Sequence, residues 1–110
     1  MMKNKSVILK INELKKFNED KRYKETIWSD DRQNISMICM KPGQEATTHT
    51  HHFNHVFVVV EGQGEFKSGG ETQVIKPGQI VIVPPLVDHG IRNGSSSGDL
   101  VIASITAQGE

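Results

Sequence analysis

The chain has 110 residues, a single-domain length with a core of modest size. Lys and Arg together number 13 and are balanced by 13 Asp and Glu, which leaves no electrostatic case for nucleic acid or an anionic membrane. No apolar window could cross a bilayer, the first residues lack a signal-peptide core, and a lone cysteine rules out an internal disulfide, so a cytoplasmic protein is expected.

Val7-Ile8-Leu9 reads as a short strand. Ile11, Leu14 and Phe17 then share the spacing of one helical face, with Asn12 as its N-cap. From Tyr23 the signals become β. Strands are expected over 26–28, 34–40, 47–51, 55–60, 65–67, 71–75, 80–83, 89–93 and 100–106. The breaks between them are chemical: Ser29-Asp30-Asp31, Pro42-Gly43, Gly62-Gln63-Gly64, Ser68-Gly69-Gly70, Pro77-Gly78, Pro84-Pro85 and the Ser/Gly loop 94–98. The run Val56 to Val60 predicts burial on both faces. Cys39, between Ile38 and Met40, reads as a small buried hydrophobe, not a nucleophile. Eight to ten short strands with regular turns and no helical period after residue 20 predict an all-β sandwich or barrel. Pro42-Gly43 and Pro77-Gly78 each precede a strand and then a histidine, which suggests a two-fold repeat of topology.

His49, His51, His52 and His55 crowd one stretch, and His89 follows the Pro-rich turn. A helix would set His49 and His51 on opposite faces. An extended chain puts them on one side, about 7 Å apart, with Thr50 and His52 pointing away. His55 could then rejoin them only across a turn, which Asn54 suits, and His89 could enter from another strand. Surface histidines in a polar loop are the plainer alternative. Converging imidazoles point instead to a divalent transition metal, with Fe, Mn, Ni, Cu, Co and Zn all open. Four on an octahedral ion leave two positions, enough for a bidentate substrate or a substrate beside dioxygen; a tetrahedral four-His zinc would be closed and structural. Strand parity places Phe57 and Val59 with His55, and Ile91 with His89, giving an apolar lining. Met40 and Trp28 are candidates for its mouth, though core packing suits both. Parity sends Arg92 outward, and no inward Arg or Lys stands out to hold a substrate carboxylate. Asp88 reads as a solvent or supporting residue, and no catalytic acid or base is identified.

These residues resemble the cupin superfamily. Its first motif is matched by Gly43, His49, His51, His55 where Glu is usual, and Gly62; its second by Gly78, Pro84, Leu86 where Gly is usual, His89 and Asn93. The resemblance covers about 34–106 and implies a double-stranded β-helix, a jelly-roll-like barrel, within one domain spanning 1–110 and preceded by a short strand/helix extension. It also implies one metal ion per chain on His49, His51, His55 and His89, and a homodimer. Four-histidine cupins include manganese- and copper-binding members with oxidative activity. A metal-dependent, dioxygenase-like oxidoreductase acting on a small organic substrate is therefore expected. The alternatives are an isomerase, lyase or cyclase acting on a sugar acid or hydroxy-carbonyl, and a non-catalytic ligand-binding cupin.

Overall fold

A computed structural model describes the backbone of residues 5–50 and 52–107, and their side chains except at 47–49. After α1 (Ile11–Leu14) come nine strands: β1 (Tyr23–Ser29), β2 (Gln33–Met40), β3 (Glu45–His49), β4 (His55–Glu61), β5 (Gly64–Ser68), β6 (Glu71–Ile75), β7 (Ile80–Val83), β8 (His89–Arg92) and β9 (Leu100–Ala107). They form two antiparallel sheets, one in the order β1-β2-β9-β4-β7 and the other β3-β8-β5-β6. This is the all-β double-stranded β-helix that the resemblance implied.

The two sheets face each other across a core set by strand alternation. Ile38 and Met40 from β2, Phe57 and Val59 from β4, Phe66 from β5, Ile91 from β8, and Leu100 and Ile102 from β9 form one buried cluster. Each such side chain contributes about 1.5–3 kcal/mol by leaving water. The alternate residues Met37, Cys39 and Val101 are also buried, but on the outer face of the larger sheet. Leu14, Phe17, Tyr23 and Ile27 cover them, which explains why the N-terminal extension folds back here.

The extension differs from its expectation. Residues 7–9 form no strand and are exposed, Ile8 at 92%. Lys10, not Asn12, occupies the N-cap of α1, and it makes no side-chain cap. Burial on both faces of β4 is also only partial. His55, Phe57 and Val59 are buried, whereas Val56 and Val58 are half-buried. They pair with Ile82 and Ile80 of β7, which are 69% and 63% exposed.

The repeated Pro-Gly breaks fold alike. Each Lys-Pro-Gly-Gln turn closes through the Gln amide N–H to the Lys carbonyl, at 3.1 Å in both. Each Gln side-chain oxygen accepts the Lys amide N–H, at 2.8 Å from Lys41 and 2.7 Å from Lys76. Gly43 and Gly78 supply the positive φ that such a turn needs, 86° and 90°. The turns launch β3 and β7, so the same four-residue device starts a strand in each sheet.

Candidate metal centre

His55 opens β4 in the five-stranded sheet, and His89 opens β8 in the four-stranded sheet. Both side chains are buried, at 6% and 3% exposure. Their rings meet edge to face across the sandwich, centroids 5.2 Å apart. Phe57 stacks on His55 at 4.1 Å and lies 5.8 Å from His89, while Phe66 stacks on His89 at 6.5 Å.

One nitrogen of each ring is held by the barrel. His89 Nδ1 lies 3.0 Å from the Val87 carbonyl oxygen. A carbonyl only accepts, so Nδ1 carries the proton and the neutral ring presents its lone pair at Nε2. His55 Nε2 lies 2.7 Å from Ser104 Oγ. Ser104 is itself buried, inward on β9 next to Leu100 and Ile102 in the alternation. Holding one imidazole nitrogen so that the other can serve as ligand is the arrangement metal-binding histidines use.

The remaining candidates are placed less fully. The backbone of His49 pairs with His89 in the β3–β8 ladder, which brings the two strands together at this end of the barrel. Its side chain lies outside the described residues, as does His51. Among the described residues no group of three or more potential ligands forms. His52 and Asp88 are exposed.

A small cavity of about 30 Å³ opens against the two rings. Phe57, Ile91, Ile38 and Ala46 form its apolar wall. Val59 and Met40 lie in the core cluster instead of on this wall. Trp28 lines a different, open cavity of about 490 Å³, with the N-terminal segment and Ile35. A bulge between Thr26 and Trp28 explains this, because it resets the alternation of β1 and carries Trp28 onto the face of Ile35. Among the described residues no histidine lines that larger cavity.

Arg22 and Lys24 also line the histidine cavity, where no inward cation was expected. Lys24 pairs with Ile38, an inward residue, and Tyr23 with Cys39, an outward one. Arg22, two residues before Lys24, shares its side. Burial pushes the Lys24 ammonium below its usual value, and the charge of Arg22 adds to the effect. Strand signals were legible from Tyr23, but the inward face needed the β1–β2 register. Ser104 was hidden similarly, directly after the apolar run of Leu100 to Ala103.

A family model for the cupin domain matches residues 36–106. The chain belongs to the cupin family. Solved structures agree with the fold along most of its length. TT1209 from Thermus thermophilus shares 26% identity, with 94% of this chain and 98% of that one covered and a TM-score of 0.86. An uncharacterised double-stranded β-helix protein from Klebsiella pneumoniae shares 23%, covering 96% and 93%, with a TM-score of 0.87. A predicted oxalate decarboxylase from Thermotoga maritima shares 19%, covering 77% and 78%, with a TM-score of 0.72. No curated protein matches the sequence. Cupins commonly bind a metal, and the donor set fits one here. Two buried imidazoles meet, each oriented by its second nitrogen, and the described cavity wall contains no carboxylate.

Proposed function

We propose that this cupin is a metal-dependent, dioxygenase-like oxidoreductase acting on a small organic substrate. One divalent transition metal would be held by His49, His51, His55 and His89. The observation that carries the reading is the meeting of His55 and His89 in a buried, largely apolar cavity, each ring oriented through its second nitrogen. When bound, the ion supplies Lewis-acid or redox chemistry. The chain's own residues set the rest. Ser104 and the Val87 carbonyl fix the rings, while Phe57 and Ile91 exclude water and give the substrate an apolar surface.

Lys24 favours a second reading. An ammonium with a lowered pKa beside the cavity could move a proton, as an isomerase, lyase or cyclase acting on a hydroxy-carbonyl requires. A cytoplasmic homodimer completes the proposal. The exposed Ile80 and Ile82 on the outer face of β7 support self-association, which light scattering tests.

Metal analysis of untagged protein and of His55→Ala is the first test, with near-stoichiometric metal expected in the first and loss in the second. Oxygen uptake by the loaded protein with a panel of diketones, flavonols and phenols is the second. Substrate proton exchange in deuterated water without oxygen uptake would favour the isomerase reading. Ligand binding with neither would leave a non-catalytic cupin.

A further inference from the structure

Positive charge gathers at one end of the barrel. Arg22 and Lys24 project from the same side of β1 and its approach into the cavity that His55 and His89 share. Among the described residues neither cation forms an ion pair, whereas Lys15, Lys16, Lys41 and Arg92 each have a carboxylate partner. Arg22 Nε is buried and meets no hydrogen-bond partner among the described residues. No Asp or Glu stands in the described cavity wall.

Arg22 Nε is a buried donor, and an anion relieves the cost of leaving it unpaired, while the exposed Lys24 adds its charge at the cavity mouth. A guanidinium offers a planar fork of donors that matches a carboxylate edge-on, and an ammonium alongside adds a point charge. The cavity, about 30 Å³, has room for little more than a water or two, so only the carboxylate end of a ligand enters it and the remainder lies at the mouth, where Lys24 is exposed.

We propose that Arg22 and Lys24 form a clamp for a small carboxylate, binding its anionic end against the His55–His89 pair. The substrate class of the site is then a short-chain carboxylate or dicarboxylate. This assignment deepens the metal-dependent reading and rests on it for the chemistry that follows binding. The clamp belongs to the polypeptide and is testable without metal.

The test follows the amide ¹H–¹⁵N signals of Gly90 and Ile91, which line the cavity, in metal-free and zinc-loaded protein. Acetate, oxalate, acetamide and inorganic phosphate are the titrants, at constant ionic strength. Acetate and oxalate should shift both signals saturably in the metal-free protein. Affinity should fall tenfold or more in Arg22→Gln/Lys24→Gln. Arg22→Lys should retain part of it, which separates loss of charge from loss of fold. Arg92→Gln, whose side chain pairs with Glu65, should bind like the unaltered protein. Unchanged affinity in the double variant overturns the proposal. So does acetamide binding as well as acetate, or phosphate binding tighter than both carboxylates. Failure to take up any of iron, manganese, nickel, copper, cobalt or zinc would sink the metal-dependent reading while the metal-free titration still decided the clamp. Zinc uptake with no carboxylate response in either form would sink the clamp alone.

Discussion

Ser104→Ala isolates the support beneath His55. The hydroxyl lies 2.7 Å from His55 Nε2, with the serine 2% and the histidine 6% exposed, so water cannot readily replace it. Leaving a buried ring nitrogen without this partner should cost about 1–3 kcal/mol. At about 4 °C per kcal/mol for a domain of this size, Tm of the metal-free protein should fall by roughly 4–12 °C. Metal affinity should weaken about 10–100-fold, as is typical when a ligand's supporting hydrogen bond is removed. The measurements are urea unfolding of metal-free protein and competition of the loaded protein against a chelator. Ser36→Ala is the control. Ser36 pairs with Ser104 in the β2–β9 register and is equally buried, but its hydroxyl is bonded to Asn34. It should lose stability with metal affinity intact. Equal metal affinity in the two variants would refute the claim that Ser104 orients a metal-binding ring.

Two further outcomes follow from the packing. Cys39 is fully buried, and burial pushes its thiol above the usual value. The unfolded chain therefore loses that proton first as pH rises, and stability should decline from about pH 9 upward. Cys39→Ala should flatten this alkaline limb in pH-dependent urea unfolding, and the native thiol should resist a disulfide reagent that labels the unfolded chain. Gly62 has φ of 83°, and an added Cβ would fall 1.9 Å from the Asp99 carbonyl oxygen. Gly62→Ala should cost more than the roughly 1–2 kcal/mol of the left-handed backbone alone, visible as a lowered urea midpoint.

The strands were legible because the punctuation was chemical. Pro-Gly, Gly-Gln-Gly and Ser-Gly-Gly stops bound strands whose β-branched residues alternate or run together, and the observed limits fall within a few residues of those expected. The extension was less legible. Val7-Ile8-Leu9 has strand propensity, but hydrogen-bonding partners, not composition, make a strand. At the site, parity along one strand placed Phe57 with His55 and Ile91 with His89. Trp28, a candidate for the mouth, lies elsewhere because a bulge changes parity without a sequence mark. Nothing in the sequence marks which way Arg22 and Lys24 face; only the pairing of Lys24 with Ile38 reveals it.

Each sheet contributes one of the two buried histidines, so their separation is set by the thickness of the sandwich. Phe57 and Phe66 fill the gap beside them, with centroids 6.4 Å apart. Those two rings act as a spacer that gauges the imidazole distance. A smaller side chain at Phe66, which stacks on His89 but offers no donor of its own, would let the sheets settle closer and change the distance between the two imidazoles. The spacing of the two rings at this end of the barrel is thus partly a property of its hydrophobic filling.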